Sequence, residues 1–364
     1  MFYEPKIFTT ESVTSGHPDK ICDQISDAIL DECLRQDPKS RVAVETFGGH
    51  GKLMIGGEVT THADVDYAAI ARRVYADIGH KDALDITVHV VKQSPDISQG
   101  VDTGGAGDQG IMYGYATNET PERMARAVVL AHKLTHGLEE LRKSGRADWL
   151  RPDGKAQVTM ADGQVQTVLI STQHAADISQ EEIAATLKRE LITLLVGDAE
   201  SLQVLINPTG RFVQGGFEAD TGLTGRKIMV DTYGGLIPHG GGAFSGKDPS
   251  KVDRSAAYMA RFVANNMVAR GLAEKCFVSV AYAIGRAEPV MVEAVDEHGG
   301  SLSDKVRSEF DFRPQAIIER LQLRRPIYEA TASYGHFGKA GLPWEDVEKV
   351  PVASVLAAQS AQIV

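Results

Sequence analysis

The chain has 364 residues, of which 43% are hydrophobic and 24% charged, and its formal net charge is -11. This length exceeds what one hydrophobic core usually supports, so two or three domains are expected. The acidic balance argues against non-specific binding to nucleic acid or to anionic membrane surfaces, and any polyanionic ligand must be met by a local cluster of cations.

The cysteines and the apolar runs bear on the compartment. No two cysteines have metal-ligand spacing, which argues for a reducing environment and against a zinc site or a disulfide framework; they are Cys22, Cys33 and Cys276. No apolar run approaches the ~20 residues that cross a bilayer, and the first residues lack a signal-peptide pattern. The expectation is a cytoplasmic protein without membrane or nucleic-acid partners.

Helices and strands alternate in the first third of the chain. His17 and Pro18 open a predicted helix, because proline suits the first turn and apolar side chains then recur at four-residue spacing; these are Ile21, Ile25, Ile29 and Cys33. A helix is also predicted over residues 64–78, and strands over residues 41–47, 52–61 and 84–92. Residues 94–110 are too rich in glycine and aspartate for a regular element, so a functional or mobile loop is expected there.

The rest of the chain continues this mixture. Helices are predicted over residues 121–143 and 179–196, the second with Ser179 as N-cap. Residues 157–173 are typical of a hairpin turning at Asp162-Gly163. A glycine-dense stretch precedes a long helix that opens at Asp248-Pro249 and ends near residue 271. Strands are predicted over residues 277–284 and 289–295, followed by two short helices from about residue 303 and a loose tail from residue 353. The mixture of helices and strands without a parallel βαβ rhythm predicts the α+β class.

The clearest candidate site is Gly240-Gly-Gly-Ala-Phe-Ser-Gly-Lys-Asp248. Glycines let backbone N–H groups approach phosphate oxygens, and the start of the next helix adds positive potential. Lys247 and Lys251 are expected on one face of that first turn, where Asp248 and Asp253 can hold magnesium.

The same loop has two other interpretations. Gly241-x4-Gly246-Lys247 matches a phosphate loop, which would make the chain an NTPase that yields ADP without a second substrate. Aspartate, however, stands where Ser or Thr belongs, and no clear strand precedes the first glycine. A flexible surface loop is the alternative without function.

A second signal lies at the start of the first helix. Ser15-Gly-His17-Pro-Asp19-Lys20 presents an imidazole, a carboxylate and an ammonium together, although a merely capping aspartate is the alternative for Asp19. Asp23, Asp27 and Asp31 continue its spacing. The last two are interpreted as a solvated helix face.

Further cations lie in turns, which suggests a focused anion site in this acidic chain; they are Lys155, Arg211, Arg226 and Lys227. A cation and a phosphate about 4 Å apart attract by roughly 4 kcal/mol at an effective dielectric near 20. His132 and His136, four apart on a predicted helix, could ligate a metal, but no third ligand is close in sequence.

Taken together, the motifs resemble the S-adenosylmethionine synthetase family. Gly105-Ala-Gly-Asp-Gln-Gly110 and the loop from Gly240 to Asp248 are similar to its two signature sequences. The similarity runs from about residue 9 to residue 344 and includes Gly16-His-Pro-Asp-Lys-Ile, Lys92-Gln-Ser-Pro-Asp-Ile, Ile206-Asn-Pro-Thr-Gly-Arg-Phe, Gly222-Leu-Thr-Gly-Arg-Lys, Asp231-Thr-Tyr-Gly-Gly and Tyr334-Gly-His-Phe-Gly.

The resemblance implies a fold, an activity and partners. The fold would be three similar α/β-sandwich domains related by pseudo-threefold symmetry, here placed at residues 1–98, 99–214 and 215–364, with interleaving in space. The sulfur of L-methionine would attack C5′ of ATP, and the expelled tripolyphosphate would be cleaved to phosphate and diphosphate. Two Mg²⁺ per site and K⁺ are implied, as is a homodimer with shared active sites or a dimer of such dimers.

The resemblance also implies residue roles. His17, Lys155, Arg226 and Lys247 would be catalytic. The full ATP-binding set would be His17, Asp108, Asp153, Lys155, Arg211, Phe212, Asp220, Arg226, Lys227, Ala243 and Lys247. The methionine pocket would be lined by Glu58, Gln93, Asp220 and Lys251. Asp19 and Asp253 would bind Mg²⁺, and Glu45 would bind K⁺.

The chain departs from the family pattern in three places. The segment between residues 78 and 92 and the loop after Asp102 are shorter than usual, and Met124-Ala-Arg-Ala127 replaces a Met-Pro-x-Pro pattern. Gating of the site and subunit assembly are expected to differ accordingly. No expected phosphate or metal residue is missing, which argues against a non-catalytic nucleotide-binding relative.

Overall fold

The computed structural model describes residues 5–93, 104–197 and 202–348. The predicted tail, most of the predicted glycine- and aspartate-rich loop and the predicted boundary at residue 98 lie outside these ranges. The strands are β1 (Ile7–Val13), β2 (Arg41–Gly49), β3 (Lys52–Thr60), β4 (Asp85–Val91), β5 (Gly110–Thr117), β6 (Leu150–Ala161), β7 (Gln164–His174), β8 (Gln203–Ile206), β9 (Gly222–Leu223), β10 (Lys275–Tyr282) and β11 (Met291–Asp296).

The helices are distributed between the same segments. They are α1 (Pro18–Gln36), α2 (Tyr67–Ile78), α3 (Arg126–Lys143), α4 (Gln180–Leu187), α5 (Thr193–Val196), α6 (Ile228–Asp231), α7 (Val252–Ala269), α8 (Ser303–Glu309) and α9 (Pro314–Arg320). A π-helical turn, Lys188–Ile192, joins α4 to α5.

The strands form three sheets, with orders β4-β3-β2-β9, β1-β6-β7-β8 and β11-β10-β5. Each sheet takes one strand from a distant stretch of chain. β1 pairs antiparallel with β6, β5 pairs with β10, and β9 pairs with β2. The three sheets are therefore built from segments that alternate along the sequence. The domain boundaries after residues 98 and 214 remain predictions.

Alternation along β2 explains the core of the first sheet. Val42, Val44 and Thr46 are buried on the face that packs against α1, and the intervening side chains point to the other face. α1 presents its apolar residues to this face, with Ile21, Ile25 and others fully buried. The four-residue apolar spacing of the sequence is confirmed.

Several local predictions are confirmed by hydrogen bonds. His17 caps α1, because its side chain accepts from the Asp19 backbone N–H. The Ser179 hydroxyl accepts from Glu182 at the start of α4. The hairpin turns at Asp162 and Gly163, both with positive φ. The helix predicted from residue 121 begins only at Arg126.

Two predictions about aspartates are wrong. Asp27 and Asp31 are buried, not solvated: Asp27 pairs with the buried Arg254, and Asp31 accepts from the Tyr328 and Glu329 amides. Asp248 does not cap the long helix, since α7 begins at Val252 after Lys251. The Asp248 carboxylate instead accepts from the Val42 amide of β2 at 2.7 Å.

Candidate active site

His17 lies at the N-terminus of α1 and is 4% exposed. Its Nδ1 accepts from the Asp19 amide at 3.1 Å, so the proton of the neutral ring is on Nε2. Burial, together with the positive charges of Lys227 and Lys155, lowers the pKa of His17 to about 3. At neutral pH His17 is therefore an uncharged hydrogen-bond donor.

Asp19 joins this helix start to the segment that follows β9. Its Oδ1 accepts from the Leu223 amide at 3.0 Å, and its Oδ2 is 2.5 Å from Lys227 Nζ. Arg226 Nε lies 3.7 Å from Asp19 Oδ1, and the Arg226 side chain is 53% exposed. Burial alone would raise the pKa of Asp19, but the Lys227 ammonium outweighs it and lowers the pKa.

Lys155 and Asp153, on β6, complete this side of the site. Lys155 is close enough to His17 to lower its pKa. Asp153 is buried and accepts from the Gly216 amide at 2.8 Å. Burial raises the pKa of Asp153 to about 6, and the charge of the exposed Asp220 acts in the same direction. The structure thus brings together five predicted residues, which we call the α1 cluster: His17, Asp19, Lys155, Arg226 and Lys227.

Phe212 and Arg211 follow β8 and lie beside the end of β7. The Phe212 amide donates to His174 Nε2 at 3.0 Å, and the His174 amide donates to the Phe212 carbonyl at 2.9 Å. Arg211 is exposed. His174 was missed in the sequence, where a lone histidine at a strand end carries no signal.

A second group of predicted residues surrounds the glycine-rich loop, and we call it the loop cluster: Ala243, Lys247 and Asp253. Lys247 Nζ is 2.6 Å from Asp253 Oδ2. A Cβ on Gly242 would lie 2.4 Å from Asp253 Cγ, so only glycine lets the loop approach this carboxylate. Asp108, two residues before β5, is exposed on the same side, since Gly110 also borders Asp253.

The predicted methionine residues have separate surroundings. Lys251 forms an ion pair with the buried Asp248, which leaves Asp248 engaged and makes it a poor magnesium ligand. Lys247 and Lys251 are thus held by different carboxylates and do not share a helical turn. Glu58 lies on β3 opposite Ala43 of β2. Glu45 is exposed on β2, and Gln93 is half-buried just after β4.

The two clusters lie along one edge of β2. Leu223 pairs with Phe47, and Lys247 pairs with Ala43, four residues away. At about 3.3 Å per residue, these anchor points are roughly 13 Å apart. The loops still touch, because a Cβ on Gly225 would lie 2.4 Å from Ala243 Cβ.

The geometry does not favour the phosphate-loop interpretation. No strand lies between residues 233 and 239 in the part of the chain described. The Gly246 amide, which a phosphate would need, donates to Asp27 Oδ1 at 2.8 Å. The loop offers the Lys247 side chain, while the amides of Gly241 and Gly246 are engaged by His239 and Asp27.

The metal chemistry available is that of single carboxylates. Among the described residues no group of three or more His, Cys, Asp or Glu side chains is arranged to hold a metal. His132 Nδ1 is bonded to Ser12 Oγ, and His136 packs against Tyr334. Asp19 and Asp253 offer hard oxygen ligands next to lysines, which suits Mg²⁺ that takes most of its ligands from phosphates and water.

The sequence predicted that the helix start presents the Lys20 ammonium together with His17 and Asp19, but the structure buries Lys20 behind the α1 cluster. Lys20 is fully buried and pairs with Asp23 at 2.9 Å and with Asp231. Asp23 also accepts from the Gly225 amide at 2.8 Å. In the sequence Lys20 belonged to the helix-start motif and Asp23 to the four-residue spacing of the aspartates, and neither signal indicated burial.

Three family models match the chain. The N-terminal domain model of S-adenosylmethionine synthetase matches residues 5–99, the central domain model residues 103–212 and the C-terminal domain model residues 214–346. Within the described residues, no helix combines the length and the apolar character needed to cross a bilayer. The chain belongs to the S-adenosylmethionine synthetase family, and it forms S-adenosylmethionine from L-methionine and ATP.

Proposed function

We propose that the methionine sulfur attacks C5′ of ATP in a site made of the α1 cluster and the loop cluster, and that the expelled tripolyphosphate is then hydrolysed there to phosphate and diphosphate. The observation that carries this proposal is the neutral, buried His17 set among Asp19, Lys155 and Lys227. A thioether has no proton to lose, so the reaction needs no general base. It needs alignment of sulfur with C5′ and stabilisation of the leaving group.

His17 would act on the leaving oxygen. Its Nε2–H is the free donor, because Nδ1 is occupied by the Asp19 amide. A neutral donor fixed at a helix N-terminus can stabilise charge that develops on the phosphate nearest C5′. A protonated imidazole is not required at that point, and its low pKa keeps it neutral at working pH.

The lysines would exchange partners when ATP binds. Lys227 and Lys247 now pair with Asp19 and Asp253 at 2.5 and 2.6 Å. Phosphate oxygens would take over these ammonium groups and free both carboxylates for metal ions. The other cations proposed around the phosphates are Lys155, Arg211 and Arg226, which are exposed.

Asp19 and Asp253 would hold the two Mg²⁺ ions, and Glu45 would contribute to a K⁺ site. When bound, these ions neutralise charge on the triphosphate. The chain's own task is to present the carboxylates: the Leu223 amide fixes Asp19, and the glycine at position 242 leaves room beside Asp253. Glu45 is exposed, so further K⁺ ligands would have to come from elsewhere.

The remaining predicted residues would bind the two substrates away from the phosphates. Asp108, Asp153, Phe212 and Ala243 are proposed for the nucleotide. Glu58, Gln93 and Lys251 are proposed for methionine, and Asp220 for both. Lys251 would have to loosen its ion pair with Asp248 to reach the methionine carboxylate.

We further propose that two copies of the chain share each site. Within one chain the anchor points of the two clusters are roughly 13 Å apart along β2, although their loops touch at Gly225 and Ala243. The outer face of β2 and β3, where Glu45 and Glu58 lie, is also apolar: Phe47 and Met54 are cross-strand partners and are 51% and 47% exposed. A second copy on this face would cover them and bring its loop cluster to the α1 cluster of the first.

The test of the reaction is product identification from ATP, methionine, Mg²⁺ and K⁺ by chromatography and mass. S-adenosylmethionine together with phosphate and diphosphate is expected, and removal of Mg²⁺ with a chelator should abolish it. Release of intact tripolyphosphate would refute the hydrolysis step. ADP formed without methionine would support the phosphate-loop alternative.

The test of the site is Lys227→Met, which we expect to lower kcat at least about 100-fold because a contact to the leaving group is lost. Lys305→Met is the matched control, since Lys305 forms an ion pair with Glu309 on α8, outside the sheet that carries the proposed site. Turnover like that of the wild type in Lys227→Met would refute the assignment of the α1 cluster.

A further inference from the structure

The segment that carries Arg226 and Lys227 is fastened to one face of α1 by two aspartates, of which the second is closed off from the site. Asp19 accepts from the Leu223 amide and, one turn later, Asp23 accepts from the Gly225 amide at 2.8 Å. Asp23 is fully buried. It therefore fixes the backbone just before Arg226 without facing the site.

Lys20 fastens the other end of the same segment. Its ammonium bridges Asp23, at 2.9 Å, and Asp231, the last residue of α6. Burial alone would lower the pKa of Lys20, but the two carboxylates outweigh it and raise the pKa, so Lys20 carries its charge, while burial raises the pKa of Asp23 to about 7. Lys20 thus links Asp23, which anchors Gly225, to Asp231, which lies four positions after Lys227.

Between these two anchors the Lys227 carbonyl accepts from the Asp231 amide at 2.8 Å, and the Lys227 ammonium pairs with Asp19. The Arg226 amide makes only a long, 3.3 Å hydrogen bond to the Leu223 carbonyl. Gly225 has φ +82°, and a Cβ there would collide with Ala243. The direction in which Arg226 and Lys227 leave the backbone thus depends on where Asp23 holds Gly225 and on where Thr46 of β2 holds Thr224.

We propose that Asp23 and Lys20 are positioning residues for the reaction: the Asp23–Lys20–Asp231 bridge holds residues 223–231 so that Arg226 and Lys227 meet the phosphates. The inference rests on the proposed function of those two cations. It differs from a role in stability alone, because Asp31, two turns further along α1, anchors the Tyr328 and Glu329 amides in the same way but holds no residue of the site.

The experiment compares Asp23→Ala, Asp23→Ser and Asp23→Asn with Asp31→Ala as the matched control, in the full-length protein. Thermal unfolding gives the folded fraction, and two activities are measured: S-adenosylmethionine formation, and hydrolysis of added tripolyphosphate. In Asp23→Ser a hydroxyl remains near Lys20, but the serine side chain is too short to reach the Gly225 amide. This variant therefore replaces Asp23→Ala in the comparison if Asp23→Ala does not fold.

We expect Asp23→Ala or Asp23→Ser to lower kcat about 10- to 100-fold in both activities, because a displacement of about 1 Å at the reacting groups has effects of that size. The KM for methionine should change less than about 3-fold, since the phosphates and not methionine lose contacts. Asp23→Asn, which retains an acceptor for Gly225, should recover most of the kcat. Asp31→Ala should lose stability but keep its kcat per folded molecule within about 3-fold.

Equal kcat values for the Asp23 and Asp31 variants would overturn the inference, as would an Asp23→Asn variant no better than Asp23→Ala. Failure of the proposed function looks different. In that case Arg226→Ala and Lys227→Ala would themselves turn over like the wild type, whatever the Asp23 variants do.

Discussion

Three histidines show how burial decides protonation at single residues. His17, His132 and His336 each have a pKa lowered by burial first and by neighbouring cations second. For His17 the consequence is chemical, because a neutral ring can donate at its Nε2. His132 lies in α3, and its Nδ1 is 2.8 Å from Oγ of Ser12 on β1. For His132 the consequence of burial is a dependence of stability on pH.

His132 should make the protein less stable in acid. Its pKa is about 3 in the folded chain, against an ordinary value of 6.5, because of burial and the charges of Lys339 and Lys20. Between these values the unfolded chain takes up a proton and the folded chain does not, so stability falls as pH drops below about 6.5. The stability advantage of wild type over His132→Gln should shrink by roughly 1.4 kcal/mol per pH unit in that window.

Denaturant unfolding at pH 7.5, 6 and 5 measures this difference. His136→Gln is the control on the same helix face, one turn away and exposed, and it should show no comparable trend. A constant difference between wild type and His132→Gln across the three pH values would contradict the prediction.

At the scale of elements, the glycine-rich loop is held where β2 and α1 meet. Gly246 has φ +81°, and a Cβ there would lie 1.9 Å from the Val44 carbonyl oxygen. Its amide also donates to Asp27. Gly241, in the same loop, has φ +93° but nothing within 4 Å of its Cβ position.

This contrast predicts different costs for the same substitution. Gly246→Ala should destabilise by about 3 kcal/mol or more, because the left-handed backbone and a clash with main chain add. Gly241→Ala should cost only about 1 to 2 kcal/mol, from the backbone conformation alone. Thermal unfolding midpoints of both variants test this, and equal shifts would show that the close approach to β2 does not hold the loop.

The sequence predicted the local elements well and the partners of charged residues poorly. Periodicity located α1, β2 and β3, and turn chemistry located the hairpin at Asp162. The aspartates were misjudged because four-residue spacing places them on one face but does not say what covers it. Asp27 meets Arg254, 227 positions away, and no local pattern reports such a contact. Asp248 was misjudged as a cap for the same reason, since its partner is on β2.

The candidate site was predicted by motif and not by geometry. The family resemblance placed His17, Asp19, Arg226 and Lys227 in one site, and the structure brings these four together. Lys20 stood in one of the matching motifs, but no motif indicated that Lys20 and Asp23 are buried behind the site. The resemblance also did not predict the distance between the α1 cluster and the loop cluster. This distance depends on which residues of β2 pair with Leu223 and Lys247.

At the scale of the whole molecule, the outer face of β2 and β3 predicts self-association. Phe47→Glu would place a charge where we expect a second copy to pack, so the variant should elute as a single chain in light-scattering chromatography while the wild type elutes at twice that mass or more. Its activity should fall at least about 10-fold, since each site would lack one cluster. Leu194→Glu is the control: Leu194 is 73% exposed on α5, far along the chain. A Phe47→Glu variant that stays associated would contradict the shared site.

The aspartates of α1 also impose an order on biosynthesis. Asp19 leaves the ribosome 204 residues before the Leu223 amide that it binds, an interval of about 10 to 40 seconds at usual elongation rates. During that interval the partners that Asp19, Asp27 and Asp31 have outside the helix do not yet exist, and Lys20 has only Asp23 beside it. The α1 cluster can therefore form only after residue 227 has been translated, and the loop cluster only after residue 253.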